Sequence, residues 1–165
     1  MEYINEARKS EIMEYQLPTY KEIPSVGLYL DQTSKYLNEV LSVLPGCNIT
    51  NSMISNYVKH HIITNPIKKQ YSREQIACLI FITIAKKVLP LEDVSKVIRM
   101  GEETYTPQQG YDYFSQMFEE YLHKIFSNEL VNDYTDETEV KALVKRVIMT
   151  AVNQLYLEEY FTGNE

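Results

Sequence analysis

The run SREQIACLIFITIAKKV, from Ser72 to Val88, carries the strongest structural signal in the sequence. It opens with a capping pair, because Gln75 stands three residues after Ser72, where each side chain can bind the backbone N–H group of the other residue. From Ile76 to Ala85 the residues are apolar on nearly every side of a helical wheel. A helix that is apolar all round belongs in the middle of a core. We therefore expect this helix to be central, with the other elements packed around it.

Weaker helical patterns lie on both sides of this central stretch. Apolar residues recur at helical spacing within residues 31–44, 50–61 and 91–100. The last third predicts two long helices, which begin at Thr106 and after a turn at residues 132–135, where Asp136 and Glu139 form a capping pair. Their apolar stripes suit an antiparallel hairpin. The expected fold is all-α.

Charge is distributed unevenly along the chain. The net charge of −7 alone argues against nucleic acid as a partner. Residues 48–100, however, hold eight Lys or Arg and three Asp or Glu, a balance of +5, between flanks of −3 and −9. A basic middle between acidic flanks indicates a segment that faces an anion, and uneven surface charge without a function is the alternative.

The helix predicted from Thr50 to His61 carries the candidate functional face. One arc of its helical wheel is apolar, and the opposite arc carries Ser52, Ser55, Asn56 and Lys59. Short polar side chains can bind base edges in a major groove, and a lysine can reach a phosphate. The start of the helix, capped by Thr50, favours a further phosphate. An ordinary solvated face is the alternative.

A short basic loop follows this helix. It contains the adjacent residues Lys68 and Lys69, and Arg73 comes directly after it. Such a loop beside a helix in the groove can hold the sugar-phosphate backbone. A solvated charge pair is the alternative interpretation.

Three segments, taken in order, resemble the mercury-resistance-regulator (MerR) family of transcription regulators over about residues 31–100. The segment Ile49–Val58 is similar to the recognition helix of that family, Lys69–Ile76 to the segment after its wing, and Lys87–Val94 to its next turn. The resemblance implies a winged helix-turn-helix core, double-stranded DNA as the partner and a homodimer. Because the loop at residues 63–71 is shorter than the usual wing, we expect a very small wing.

The whole chain also resembles a family of bacterial proteins that is catalogued only as a domain of unknown function. The runs ITNSMISNYVK and KKQYSRE carry this second resemblance, which implies a regulator and nothing sharper. Together the patterns predict an N-terminal arm at residues 1–30, a DNA-binding domain at residues 31–100 and a helical module for dimerisation or effector binding at residues 101–165.

Other functions find less support in the sequence. Adjacent histidines on a helix point about 100° apart, so a metal site at His60 and His61 is not expected, and His61 is predicted to pack at the helix end. No motif for catalysis or for a cofactor is present, and Cys47 and Cys78 are expected to be reduced cytosolic thiols. The absence of a long apolar run or a signal-peptide pattern predicts a cytoplasmic protein without membrane contact.

Two further interpretations remain open at this stage. Seven of the fourteen tyrosines lie in the last third, where core and dimer packing are the favoured explanation and an aromatic cavity for a small, apolar, cationic ligand is the alternative. The second interpretation is a protein-interaction module that keeps the helix-turn-helix shape, binds a basic partner through its acidic ends and does not bind DNA.

Overall fold

The computed structural model describes residues 4–131 and 137–163 of the chain. The helices in these residues are α1 (Glu6–Met13), α2 (Leu30–Val40), α3 (Asn51–Lys59), α4 (Arg73–Ala85), α5 (Leu91–Thr104), α6 (Pro107–Phe126) and α7 (Glu139–Thr162). Extended pairing in this part of the chain is limited to two isolated bridges, Leu28 with Tyr71 and Ile67 with Gln70. The all-α prediction is confirmed.

Helix α4 is the centre of the core, as its all-round apolarity predicts. Its capping box is complete, because Ser72 N–H donates to Gln75 Oε1 at 2.8 Å and Gln75 N–H donates to Ser72 Oγ at 3.3 Å. Helices α2, α5, α6 and α7 all pack against it. Phe81 is half-buried, and its ring packs edge-on against that of Phe114 with 5.2 Å between the ring centroids. Ile84 is buried.

Helix α3 begins as predicted and ends two residues earlier. Thr50 caps it by accepting a hydrogen bond from Met53 N–H at 3.1 Å. At the other end His61 has a φ of +58°, which lets Ile62 N–H reach the carbonyl of Tyr57 at 2.9 Å and closes the helix. The prediction that His61 packs at the helix end is therefore wrong, because its backbone ends the helix while its side chain is exposed.

The N-terminal arm is bound along much of its length. Ile12, Leu17 and Ile23 are buried in the common core. The backbone N–H of Leu17 donates to Glu119 Oε1 at 2.9 Å, and the hydroxyl of Tyr111 donates to the carbonyl of Pro18 at 2.6 Å. These contacts attach the arm to α6, whose residues lie about a hundred positions further along the chain.

The prediction of an antiparallel C-terminal hairpin is wrong, because α6 and α7 run parallel. Near the starts of the two helices, the hydroxyl of Tyr113 donates to the carbonyl of Lys141 at 3.2 Å. Near the ends of the two helices, the ring centroids of Phe126 and Tyr156 lie 5.2 Å apart.

The cap of α7 also differs from the prediction. Thr138 is the N-cap, and its hydroxyl accepts from the backbone N–H of Lys141 at 3.4 Å. The predicted turn at residues 132–135 and the predicted capping residue Asp136 lie outside the described residues.

The hydrophobic core crosses the boundaries of the three predicted parts. Ile12 from the arm, Ile80 from α4 and Phe118 from α6 belong to one buried cluster. The division at residues 30 and 100 stays a prediction. Among the residues that the structure describes, no helix has both the length and the apolar character needed to cross a bilayer.

Candidate nucleic-acid interface

The predicted base-contacting face of α3 is open to solvent. Each member of that set is exposed: Thr50, Ser52, Ser55, Asn56 and Lys59. On the opposite side Ile54 and Tyr57 are buried, and Lys86 Nζ donates to the hydroxyl of Tyr57 at 3.1 Å. Helix α3 is therefore anchored in the core by its apolar face, while its polar face remains exposed to solvent.

The start of α3 is held by α2 through residues that the sequence analysis did not identify. Asn38 Nδ2 donates to the carbonyl of Ile49, and Ile49 N–H donates back to Asn38 Oδ1, both at 2.8 Å. Asn51 Nδ2 also donates to Asp31 Oδ1 at 2.5 Å. These hydrogen bonds fix α3 against α2. They also place the carboxylate of Asp31 near the N-terminal end of α3, where the sequence suggested a phosphate.

The two adjacent lysines form the tip of a tight hairpin, Ile67–Gln70, which we call the basic turn. Ile67 N–H donates to the carbonyl of Gln70 at 3.2 Å, and Gln70 N–H donates to the carbonyl of Ile67 at 2.9 Å. Lys68 and Lys69 have φ values of +52° and +64°, as in a type I′ turn. Such turns usually contain Asn and Gly, because the left-handed conformation costs other residues about 1–2 kcal/mol each.

The arm supports the basic turn from one side. Leu28 N–H donates to the carbonyl of Tyr71 at 3.1 Å, and Tyr71 N–H donates to the carbonyl of Leu28 at 2.7 Å. A Cβ atom on Gly27 would lie 2.6 Å from Gln70 Cβ, so the arm can approach this closely only because position 27 is glycine. The arm therefore sets the position of the basic turn, a role that the sequence did not reveal.

Arg73 is bound to the arm rather than exposed beside the two lysines. Its Nε donates to the carbonyl of Ile23 at 2.8 Å, and its Nη2 donates to the carbonyl of Lys21 at 3.0 Å. The guanidinium group also lies 5.6 Å from the centroid of the Tyr20 ring. The predicted phosphate contact of Arg73 stays a prediction, and two of its donors are occupied in this structure.

Of the eight cations in the basic segment, three lack a hydrogen bond or an ion pair to any described residue, namely Lys59, Lys68 and Lys69. The other five are bound. For example, Lys87 Nζ lies 2.8 Å from Glu158 Oε2, and Arg99 Nη1 lies 3.3 Å from Glu102 Oε2. The positive charge left to attract an anion is therefore concentrated at the end of α3 and in the basic turn.

Cysteine and metal chemistry do not add to this site. Cys47 and Cys78 are free thiols, and burial raises their pKa values to about 11 and about 12. In the described part of the chain, no group of three His, Cys, Asp or Glu side chains is arranged to hold a metal ion.

These features define an all-helical protein in which a helix pair, a basic turn and two further helices follow one another along the chain. The sequence profile of the family described as "Domain of unknown function (DUF1836)" matches residues 18–121, and the chain therefore belongs to this family. The matched region includes the arm residues that contact Tyr71 and Arg73 and extends into α6, so it crosses both predicted domain boundaries. No curated protein and no solved structure gives a significant match.

Proposed function

We propose that the protein is a DNA-binding transcription regulator in which α2 and α3 form the helix-turn-helix. The observation that carries the proposal is the exposed polar face of α3, which ends in Lys59 and is followed by Lys68 and Lys69, three lysines without a partner among the described residues. The order of helix, helix, basic turn, helix and helix is also the order that the MerR resemblance implies, with the basic turn as a minimal wing.

In this proposal α3 enters the major groove. Ser52, Ser55 and Asn56 contact base edges, while Lys59, Lys68 and Lys69 contact phosphates. Non-specific binding is weak because the chain carries a net charge of −7. Each phosphate contact contributes about 0.9 units to the slope of log affinity against log salt.

The proposed homodimer uses the C-terminal end of α7. Most of the two long apolar stripes, which first suggested a dimer, are buried within one chain, as Phe118 and Leu155 are. Leu157 and Phe161 remain 49% and 68% exposed, and they lie four residues apart on one side of α7. A dimer through this end would favour two DNA half-sites about 34 Å apart or a multiple of that distance.

One observation favours a protein-interaction module instead. Val26 and Ile67 are 71% and 78% exposed, and both belong to the segments that meet at the basic turn. Apolar side chains beside lysines that lack a described partner suit a protein with an acidic, partly apolar surface, rather than the basic partner that the acidic ends of the chain predict. The experiment below separates the two functions.

The test is selection of genomic DNA fragments by the purified protein, followed by salt titrations of variants on a recovered fragment. Lys68→Ala and Lys69→Ala should each weaken binding on all sequences and reduce the salt slope by about one unit. Asn56→Ala should relax preference at particular base pairs, at a cost of about 1–3 kcal/mol. Lys96→Ala is the matched control, because Lys96 is an exposed lysine near Glu92 on α5.

Two results would contradict the regulator function. One is the absence of any enriched fragment. The other is binding that Lys68→Ala and Lys69→Ala weaken no more than Lys96→Ala does. In either case the interaction module becomes the better explanation of the same exposed residues.

A further inference from the structure

A cavity of about 290 Å³ lies between α4, α5, α6 and α7. Its wall is mainly apolar and includes Ala77, Phe81, Val97, Ile98 and Val144. The volume is close to the lower end of the range of small-molecule sites, which is about 300–1,000 Å³. Cys78 contributes a neutral thiol to the wall, because burial raises its pKa to about 12.

Lys141 in the cavity wall has no carboxylate partner among the residues that the structure describes. Lys141 Nζ lies 5.3 Å from the centroid of the Tyr105 ring and 5.0 Å from that of Tyr113, and no described carboxylate forms an ion pair with it. Because Lys141 already covers these two ring faces, a second cation would be repelled from them. The structure therefore disfavours the cationic ligand that the aromatic composition suggested.

The other charged groups that line the cavity are Arg99, Glu102 and Glu74, and none of them forms an ion pair with Lys141. Arg99 and Glu102 pair with each other at 3.3 Å. Glu74 is exposed in the first turn of α4, where the helix dipole stabilises its negative charge. The position left for a ligand charge is next to Lys141, and the charge that fits there is negative.

We propose that this cavity binds a small apolar molecule with a single carboxylate group. The carboxylate pairs with Lys141, and the apolar part packs against Phe81, Val97 and Val144. This inference does not depend on DNA binding, because it concerns a different surface and a different kind of ligand.

The ligand would also contact the segment that joins α3 to the basic turn. Ile62, Ile63 and Thr64 line the cavity on that side. Arg99 Nη2 donates to the carbonyl of His61 at 2.5 Å, and Gln75 Nε2 donates to the carbonyl of Thr64 at 3.0 Å. A bound ligand would hold these residues more firmly, so backbone amides in residues 61–65 should exchange hydrogen more slowly.

The test compares octanoate, octanol and octylamine, which share one apolar chain and differ in charge. Calorimetric titration of the full chain should show octanoate binding about tenfold more tightly than octanol, and octylamine binding most weakly. Lys141→Gln should reduce octanoate affinity about tenfold and leave octanol affinity unchanged. Lys124→Gln is the control, because this lysine pairs with Glu120 on α6 and does not line the cavity.

A cavity-filling variant tests the location independently. Val144→Phe should weaken octanoate and octanol equally, because it occupies the space of the apolar part. Where this variant does not fold, Lys141→Gln and the hydrogen exchange of residues 61–65 decide. Octylamine binding as tight as octanoate, unchanged octanoate affinity in Lys141→Gln, or unaltered exchange in residues 61–65 with octanoate bound would overturn the proposal.

Discussion

Two pairs of adjacent lysines, eighteen residues apart in the same basic segment, have opposite environments. Lys68 and Lys69 lie at the tip of the basic turn, exposed and without a described partner. Lys86 and Lys87 lie at the end of α4, half-buried, and Lys87 Nζ is bound to Glu158 at 2.8 Å and to the carbonyl of Pro45 at 3.2 Å. Each pair consists of two adjacent lysines, yet the first is exposed and the second helps to hold the fold together.

Cations that are close together in the sequence therefore do not necessarily form a positively charged surface. A cation contributes to binding a distant anion only if no nearby carboxylate neutralises it. Here the carboxylate that neutralises Lys87 comes from the far end of the chain.

The largest expected effect concerns the thiol of Cys47, which lies close to Lys87 and Glu158. Burial raises the pKa of Cys47 to about 11; among the nearby charges, Lys87 lowers it and Glu158 raises it. At pH 8 its reaction with iodoacetamide should be about a hundredfold slower than that of an unstructured cysteine, because the thiolate is the nucleophile. The rate should keep rising with pH to about 11. A rate that levels off near pH 9 in the folded protein, measured by mass spectrometry, would contradict this environment.

The next effect is on stability, at the ion pair of Lys87 and Glu158. Lys87→Ala should lower the free energy of unfolding by about 2–3 kcal/mol, because Lys87 is only 8% exposed in its side chain and Glu158 would lose its partner. Urea denaturation measures the change. A double-mutant cycle with Glu158→Gln should show coupling between the two residues, and additive losses would mean that the ion pair contributes nothing.

A smaller effect, of opposite sign, is expected at the basic turn. Lys69→Gly should raise the free energy of unfolding by about 0.5–1 kcal/mol, because glycine adopts a positive φ without strain. The same change should weaken DNA binding, since it removes a phosphate contact. Stability and affinity would then change in opposite directions, as expected where a strained conformation serves binding. A loss of stability in Lys69→Gly would mean that the lysine side chain supports the turn.

The smallest effect is at the first lysine of the turn. Lys68→Ala should change the free energy of unfolding by less than about 0.5 kcal/mol, because this exposed side chain has no described partner. Alanine keeps the strain that Gly would relieve, so this variant is also the control for Lys69→Gly. A clear loss of stability, measured in the same urea titration, would remove the contrast between the two lysine pairs.

Much of the local structure could be read from neighbouring residues. The caps at Thr50, Ser72 and Thr106 form as predicted, because a cap depends on residues within one helical turn. The exposure of Ser55 and Asn56 also follows from their place on the helical wheel. The candidate interface was predictable to this extent.

Other parts of the candidate interface were not predictable. In the sequence Arg73 follows Lys68 and Lys69 closely and was predicted to act with them. Its partners, however, are backbone carbonyls about fifty residues earlier in the arm. Carbonyl groups occur at every residue and leave no trace in the sequence, so nothing marked Lys21 and Ile23 as the acceptors. The support of the basic turn by Leu28 was hidden for the same reason.

Neighbouring residues account for helices α2 to α7, for the caps at Thr50, Ser72 and Thr106 and for the central place of α4, because periodicity and capping depend on side chains a few residues apart. Only the tertiary structure decided the direction of α7, since an apolar stripe reads the same from either end and Tyr113 and Phe126 had to find their partners in space. It also decided which cations have no partner among the described residues, because the neutralising carboxylate of Lys87 lies 71 residues away along the chain. Pairing over such distances depends on how the helices pack, and packing is a property of the whole core.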